Sequence, residues 1–599
     1  MDLQAITKPG IHLITHPIPL PDGTHLQGEK GARLVGGIRL SGFFRKDGTE
    51  GVYVCDLSAM GVRPAPMVSR GFGRKISPSH SELFINGRPL SISQFPKKGS
   101  FLTITELGEV GYNEWERPCG ILESGFFYKS DRPKSWQEGQ QIWVHGYWAY
   151  DWSPTRECIA LLDKDLGFIR TLPPYGQNAF TKGQRFYFFN VLEEVTEPGD
   201  YCIDYTNNLL YFKPYEDTGP LDEAEVFLSS CDQPVFRLDH ARDISIDGFV
   251  IEAFRGNAIS VSHSSQIVIS NCTIRNIGNR AVCVDDSQDV KVEGCHIHDT
   301  GDGGIAFYCG DRRTLEPAGC SVSGCHIHHV ANWDRCYEPA IRLYGVGLSA
   351  CGNLLHDCPH SAVLFGGNDI AVNGNHVHHV VTETGDAGAI YGGRDYTFRG
   401  NSVSGNFLHH IGSGVGMGTM GVYNDDCLSG TVREDNVFFK VQRAIFLGGG
   451  VDFVIRNNLF VDCTPCVEVD GRGQSPHKVW RNMVIHTLRD RFYNICGQGI
   501  SGAEPPYLAR YPELKVIDGY YRASEQPRIP PSAAITGNLF CSERKIEYTR
   551  KMDDTWCCDG GKFTEADNRS IDRQELYSLL NKEQLAVLIQ DETESIGFL

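Results

Sequence analysis

Residues 362–395 read AVLFGGNDIAVNGNHVHHVVTETGDAGAIYGGRD and show the repeat that decides the fold. One half of each unit is a small residue, an aliphatic residue and an alternating segment, as in AVLFG at Ala362 and AIYGG at Ala389. The other half begins with an asparagine and has an aliphatic residue two places later, as at Asn375 and Val377. Short alternating segments between Gly and Asn turns are typical of β-strands.

The repeat continues in both directions, from residue 256 to about residue 486. The aliphatic residues of the first half are spaced by 23, 23, 36, 22, 27, 32, 23 and 22, at Ile259, Val282, Ile305, Ile341, Val363, Ile390, Val422, Ile445 and Val467. The second half begins at Cys272, Cys295, Cys325, Asn353, Asn375, Asn406, Asn436, Asn458 and Asn482. A period near 22–23 with longer insertions predicts one coil per repeat and loops of variable length.

A single coil cannot bury its own apolar face, so the coils must stack and align like residues along one axis. Stacked asparagines can form a ladder, because each amide both donates and accepts hydrogen bonds. The three cysteines share the asparagine column, so we interpret them as interior packing rather than metal ligands. The pattern predicts an all-β, right-handed parallel β-helix.

The flanking regions divide the chain further. We predict an N-terminal cap and first coils at 1–74, an inserted antiparallel β-sandwich or barrel at 75–235, the β-helix core with an active-site groove at 236–500, and an irregular tail with C-terminal helices at 501–599. In the insert, Asn86-Gly87 is a strong hairpin signal. In the tail, Asp572 and Glu575 have the spacing of a helix capping box.

Composition limits the function. Lys and Arg total 56 against 74 Asp and Glu, a net charge of −18 that argues against nucleic acid and anionic membranes as partners. No apolar run is long enough to cross a bilayer. The N-terminus lacks a basic segment followed by an apolar one, so we expect a cytoplasmic protein, or a secreted one whose leader has been removed. The 21 cysteines then stay reduced, and we expect neither metal nor cofactor, with the oligomeric state open.

Alternation along the first strand of each coil places a column of side chains on the outer face. Its middle holds Arg342, Tyr344, Tyr391, Tyr423 and Asp425, with glycines between them. Aromatic rings stack on the C–H faces of sugars, and carboxylates can serve a glycosidic oxygen. The column therefore predicts an oligosaccharide groove.

Asp386 and Asp425 are the candidate catalytic pair. Asp386 precedes the strand of Ile390, and Asp425 lies in the next coil, about 4.8 Å along the stack. Such a pair could act as general acid and as nucleophile or base; alternatively, Asp386 caps a turn and Asp425 is a solvated ladder residue. The predicted substrate-binding residues are Arg342, Tyr344, His360, Tyr391, Arg394, Tyr423, Asp426 and Glu468, and Asp395, Glu383 and Asp470 are further acidic candidates.

A column of histidines runs through the second strand of successive coils. Its members are His298, His328, His356, His378 and His409, with His329, His379 and His410 beside three of them. Stacked imidazoles suggest a metal site, but a column that passes through every coil is typical of a structural ladder. We therefore interpret it as a surface ladder.

Several motifs resemble bacterial β-helix glycosidases that carry an inserted β-sandwich. They are SELFINGRPL, WVHGYWAYDW, DAGAIYGGRD, GVYNDD and PPYLARYPEL, and the resemblance spans roughly residues 10–515. The chain is most similar to glycoside hydrolase family 141, which contains α-L-fucosidases and xylanases. The resemblance implies hydrolysis of plant- or host-derived oligosaccharides, with the catalytic aspartates at Asp386 and Asp425. Asn424 stands where that family can carry an aliphatic residue.

Two other functions remain open. A polysaccharide lyase or epimerase on the same scaffold would need a cationic group to neutralise a uronate and a base to take its α-proton. Arg342 and Arg394 could serve the first need, although lysine is sparse in the coils. The other alternative is a carbohydrate-binding protein without catalysis.

Overall fold

The structure is a computed structural model that describes residues 3–549, 558 and 560–597. Three long parallel sheets run along the molecule, and each coil contributes one strand to each sheet. This confirms the predicted all-β parallel β-helix. The apolar side chains that point inwards from the three sheets form one continuous core along the stack.

The first sheet, which we call sheet 1, carries the histidines. Its strands are Gly10–Leu13, Ala32–Val35, Val250–Phe254, Thr273–Ile277, His296–Thr300, His326–His328, Leu354–Cys358, His376–Val380, Phe407–Ile411, Val437–Val441, Leu459–Val461, Leu539–Cys541 and Arg569–Ser570. In the repeating coils, the strand of sheet 2 comes just before the strand of sheet 1 along the chain, and a short turn joins them. Its strands are His25–Gln27, Arg242–Asp247, Ser265–Ser270, Gln288–Glu293, Ser321–Ser323, Ser349–Cys351, Ala371–Asn373, Ser402–Ser404, Val432–Glu434, Phe453–Arg456, Ser532–Thr536 and Lys562–Ala566.

Sheet 3 carries the predicted groove. Its strands are Phe236–Asp239, Ile259–Ser262, Val282–Asp285, Ile305–Cys309, Ile341–Val346, Val363–Asn368, Ala387–Gly393, Thr419–Asp425, Arg443–Gly448, Val467–Asp470 and Ile546–Tyr548. The predicted inward residues are in register, because Val363 pairs with Ile390, Ile390 with Val422, and Val422 with Ile445.

The asparagine ladder forms as predicted and extends further. The amide of Asn375 donates to Asn406 and that of Asn406 to Asn436, each at 2.9 Å. Asn482 is not part of the ladder, because it ends the helix Lys478–Asn482. The ladder passes instead from Asn458 to Asn538, at 3.0 Å. A helical excursion of the chain between these two asparagines hid the period from the sequence.

The solenoid therefore continues beyond residue 500, where the sequence suggested an irregular tail. The excursion contains Lys478–Asn482, Met483–Leu488, Arg489–Tyr493, Tyr507–Arg510 and Leu514–Ala523. Two helices close the described chain, Arg573–Leu579 and Lys582–Gly597. The first has its predicted cap, since the Asp572 carboxylate accepts from the Glu575 N–H at 2.8 Å. Among the described residues, no helix is long and apolar enough to cross a membrane.

The inserted sheets leave and rejoin the stack within one coil, because Ala32–Val35 and Val250–Phe254 are parallel neighbours in sheet 1. The predicted boundary at residue 75 falls inside these mostly antiparallel sheets. One combines Ser91–Ile92, Asp200–Asp204, Leu209–Phe212, Tyr53–Asp56 and Phe44–Arg45, and another Gly37–Arg39, Val226–Ser229, Leu83–Ile85 and Arg88–Pro89. The largest contains Arg70–Gly71, Gln94–Phe95, Leu102–Thr103, Glu106–Leu107, Phe126–Phe127, Trp143–Gly146, Thr155–Asp163, Phe168–Thr171 and Arg185–Phe189, and Val110–Tyr112 pairs with Pro118–Gly120.

The remaining short helices are Leu3–Ile6, Leu122–Ser124, Arg132–Ser135, Leu192–Glu194 and Arg472–Gln474. The hairpin predicted at Asn86-Gly87 is confirmed: Ile85 pairs with Arg88, and both turn residues have positive φ, 51° and 75°. The cysteine prediction also holds, because Cys272, Cys295 and Cys325 are each 1% exposed inside the coils.

We expect Asn406→Ala to lower the free energy of unfolding by about 2 kcal/mol or more, because buried polar groups on both neighbouring coils lose their partners. Asn406 accepts from Asn375 N at 2.8 Å and donates to Val372 O at 2.9 Å. The measurement is the thermal midpoint of unfolding. Asn373→Ala, which removes an acceptor for Ser404 on the outer face, is the matched control. Equal losses in the two variants would contradict a stabilising ladder.

Candidate active site

Asp386 and Asp425 lie on adjacent coils of sheet 3, as predicted. Asp386 immediately precedes Ala387–Gly393, and Asp425 ends Thr419–Asp425. The two aspartates lie at opposite ends of neighbouring strands, and Tyr423 connects them. Gly388 leaves room for this tyrosine, because an added Cβ at Gly388 would lie 2.5 Å from Cβ of Tyr423. The Tyr423 hydroxyl donates to Asp386 Oδ1 at 3.1 Å.

Asp425 is held by three donors. The Tyr391 hydroxyl donates to Oδ2 at 2.9 Å, while Arg472 Nη1 and the Asp426 N–H donate to Oδ1 at 2.7 and 2.8 Å. Gly393 permits this approach, because a Cβ there would lie 3.0 Å from Cβ of Asp425. Burial, followed by the charge of Asp426, raises the pKa of Asp425 to about 7, with the charge of Asp386 adding and Arg472 opposing.

Burial also raises the pKa of Asp386, against the opposing effects of Arg472 and the Tyr423 hydroxyl. The charge of Asp386 raises the pKa of Asp425, so the two carboxyls interact, although the charge of Asp426 has the larger effect on Asp425. The structure thus brings the two predicted carboxyls into one electrostatic unit, in which one proton can be retained near neutral pH.

Arg472 is the main residue that sequence reasoning missed. It is buried, and its Nη1 bridges Asp425 Oδ1 and Asp426 Oδ1 at 2.7 and 2.9 Å. Its Nη2 donates to Asp470 Oδ2 at 2.8 Å. The available signal was the DGRG segment at 470–473, which begins at the end of the sheet 3 strand two coils after GVYNDD.

Asp426 forms ion pairs with two guanidinium groups, whereas the sequence predicted a substrate-binding residue. Arg394 Nε donates to Asp426 Oδ2 at 2.7 Å, and Arg472 contacts the other oxygen. Burial would raise the pKa of Asp426, but Arg394 and Arg472 outweigh it and lower the pKa. Asp426 is therefore an ionised anchor. The Arg394 side chain remains 54% exposed, so part of its guanidinium faces outwards.

The other predicted residues lie around this centre. Tyr391 and Tyr423 contact the pair directly, whereas Glu468 forms a bidentate ion pair with Arg443 at 2.7 Å. His360 is buried behind the site, with Nδ1 2.9 Å from Thr384 Oγ1, and burial lowers its pKa to about 3. His360 therefore does not line an open groove. Arg342 donates to the Tyr337 carbonyl and lies 5.5 Å from the exposed Tyr344 ring.

The further acidic candidates have structural partners. Asp395 accepts from the Thr397 N–H at 2.8 Å and caps a turn. Asp470 pairs with Arg472. Glu383 accepts from the Tyr147 hydroxyl at 2.5 Å and pairs with Arg335, which together with other neighbours lowers its pKa against the effect of burial. Glu383 therefore fastens the insert to the coil that carries Asp386.

The insert borders the site. The Gly385 N–H donates to the Asp151 carbonyl at 3.2 Å, which fixes the residue before Asp386. Tyr337, which the sequence did not single out, lies with its ring centroid 6.1 Å from Tyr391, 5.5 Å from Phe72 and 6.4 Å from Trp152. Tyr337 thus lies next to the tyrosine that binds Asp425, and burial, followed by the charges of Asp425 and Asp386, raises the pKa of Tyr337.

A cavity of about 410 Å³ opens beside Arg394 and is lined mainly by the helical excursion, including Trp480, Met483 and His486. Trp480 also lies 4.8 Å from the Arg472 guanidinium. The excursion therefore forms one wall next to the carboxylate pair, and the insert forms another. Arg394 connects this cavity to the carboxylates, because it lines the cavity and donates to Asp426.

Comparison with known proteins supports the fold. A family model described as the right handed beta helix region matches residues 228–358. A solved structure described as a glycoside hydrolase has a TM-score of 0.58 and 15% identity, covering 80% of this chain and 90% of that chain. Another, the complex structure of XylC with xylose, has a TM-score of 0.43 and 10% identity, covering 94% of this chain and 80% of the other. No curated protein sequence matches.

We expect Arg472→Met to destabilise the protein by about 3–5 kcal/mol, because buried carboxylates lose their counter-charge. Without the cation the carboxyl pKa values rise, so the loss is larger at pH 8 than at pH 5, where protonation relieves the repulsion. Thermal midpoints at both pH values provide the measurement. Arg443→Met, which removes the ion-pair partner of Glu468 and leaves Arg472 in place, is the control. A pH-independent loss in Arg472→Met would contradict the charge-compensation role of Arg472.

Proposed function

We propose that this protein is a glycoside hydrolase that cleaves oligosaccharides with Asp386 and Asp425. The carrying observation is the pair of largely buried carboxyls with raised pKa, each of which accepts a hydrogen bond from a sheet 3 tyrosine. Hydrolysis of a glycosidic bond needs one carboxyl that donates a proton and one that is ionised. The solved glycoside hydrolase of similar fold is consistent with this proposal.

The pKa shifts favour one distribution of the proton. The pKa of Asp425 is raised to about 7 although three donors contact its oxygens, so Asp425 is the carboxyl that keeps a proton near neutral pH. We therefore assign Asp425 as the general acid. Asp386, oriented by the Tyr423 hydroxyl, acts as the nucleophile or as the base that activates water.

The surrounding groups suit a neutral sugar. Tyr337, Tyr391 and Trp152 offer aromatic surface, and Arg394 offers a partly exposed donor at the rim. A lyase would instead need a proton-abstracting base and a cation for a uronate. Arg472 and Arg394 are engaged by aspartates, and burial raises the pKa of Tyr391 and Tyr423 far above its usual range, which makes both poor bases.

A screen of aryl glycosides tests the proposal, with α-L-fucosides and β-xylosides included because of the family resemblance, and arabinosides and galactosides beside them. We expect release of the aryl alcohol from at least one member. In parallel, uronate-containing polymers are incubated and followed by ultraviolet absorbance. An unsaturated product without glycoside hydrolysis would replace the proposal with a lyase, and sugar binding without turnover would replace it with a binding protein.

We expect Asp386→Asn and Asp425→Asn each to lower kcat by about 1,000-fold or more, because each removes a proton or a charge needed at the transition state. The measurement is kcat on the best substrate of the screen. Glu434→Gln, which changes a sheet 2 carboxylate paired with Arg456, is the matched control. Activity within tenfold of wild type in either aspartate variant would remove that residue from the mechanism.

We expect kcat/KM to fall as pH rises through about 7, because the pair then loses the proton that the general acid must supply. Activity also falls at low pH, where both carboxyls are protonated. Asp426→Asn removes a charge that raises the pKa of Asp425, so the alkaline limb should move to lower pH. A limb that is unchanged or moves upwards in this variant would contradict the assignment.

A further inference from the structure

The histidine column on sheet 1 is a double column. His298, His328, His356, His378 and His409 stack as predicted, with ring centroids 5.1, 4.8, 4.7 and 4.9 Å apart. A second column, His296, His326 and His376, stands beside it on the same strands. Nε2 atoms face each other across the columns at 2.9 Å for His296 and His328, and at 2.7 Å for His326 and His356.

The last pair, His376 and His409, differs in its surroundings. Its Nε2 atoms also lie 2.7 Å apart, but the C-terminal helix Lys582–Gly597 covers this end of the ladder. Glu583 Oε1 lies 2.8 Å from His376 Nδ1. A carboxylate only accepts, so His376 Nδ1 carries the hydrogen, and in the neutral ring Nε2 is then a bare lone pair.

The same reasoning fixes the tautomer of His409 through its neighbour. Asp591 Oδ1 accepts from His410 Nε2 at 3.0 Å, so the Nδ1 of a neutral His410 is a lone pair. His409 Nδ1 lies 2.7 Å from that atom and must therefore carry the hydrogen. Its Nε2 is then a lone pair as well. Two bare nitrogens thus face each other at 2.7 Å, an arrangement that requires a cation between them.

We propose that His376, His378 and His409 bind a divalent transition-metal ion of the Zn²⁺ type. The three rings each offer one nitrogen, and these atoms lie within 4.8 Å of one another. Zn²⁺ takes imidazole nitrogens at about 2.0–2.1 Å, which in a tetrahedral site separates them by about 3.3 Å. The facing pair has to open by about 0.6 Å to accept the ion.

The carboxylate on His376 is the partner that metal-binding histidines usually have on their second nitrogen. Glu583 and Asp591 both belong to the C-terminal helix, so the ion would fasten this helix to the solenoid. The other facing pairs differ, because an ordinary N–H···N hydrogen bond satisfies them. Within the part of the chain that the structure describes, no carboxylate contacts His326 or His296. The site lies on sheet 1, whereas the carboxylate pair lies on sheet 3.

The test is a calorimetric titration of the full chain, without an affinity tag, with Zn²⁺. We expect saturable binding that His376→Gln and His409→Gln abolish, and that His326→Gln, the matched ladder variant, retains. Glu583→Gln changes an exposed carboxylate outside the core and should weaken binding about 10–100-fold. Zn²⁺ should also raise the thermal midpoint of the wild type but not that of His376→Gln.

Absence of Zn²⁺ binding by the wild type would overturn the proposal. A shared proton would then be the cation between the Nε2 atoms of His376 and His409. Undiminished affinity in both His376→Gln and His409→Gln would overturn it as well, since the ion would bind elsewhere. Circular dichroism of each variant separates loss of the site from loss of the fold. Unchanged affinity in Glu583→Gln would contradict the tautomer argument on which the proposal rests.

Discussion

The register between stacked coils is the constraint on which the rest of the structure depends. In a parallel β-helix, a residue keeps its side chain above the equivalent residue of the previous coil, so any slip would move every side chain to the wrong face. The asparagine ladder pins this register, because each buried amide finds its partners only when the neighbouring coil is aligned. Loops of very different length can then leave the stack without disturbing it.

The same register concentrates charge on sheet 3. Asp425 and Asp426 lie at the end of one strand and Asp470 at the end of the strand two coils further on, where Asp470 pairs in register with Gly448 of the intervening strand. One buried guanidinium, Arg472, contacts all three, and without it their repulsion would oppose the stacking itself. Burial is the largest cause of the raised pKa of Asp386 and of Asp425, and the charge of Asp426 adds to it in both cases. The stability of the stack and the catalysis that we propose therefore depend on the same cluster of charges.

Much of the fold could be predicted from the sequence, because one period fixes both the inward residues and the outward column. Asp386 and Asp425 could be predicted from the sequence in the same way, since both positions follow from the register. Arg472 could not, because it lies in a turn after its strand, where alternation no longer predicts which way a side chain points. Tyr337 and Trp152 were missed for a different reason: they reach the site through long loops and through the insert, whose packing no repeat encodes.

The insert and the helical excursion explain how a regular stack acquires a single site. Every coil of sheet 3 presents an outer column, yet Asp386 lies on the coil that Glu383 and Gly385 tie to the insert. The excursion contributes Trp480 against Arg472 on the neighbouring side. These contacts remove water from a few carboxyls only, and desolvation is the largest cause of their raised pKa. The repeat thus supplies the carboxyls, while the irregular segments make two of them different from the rest.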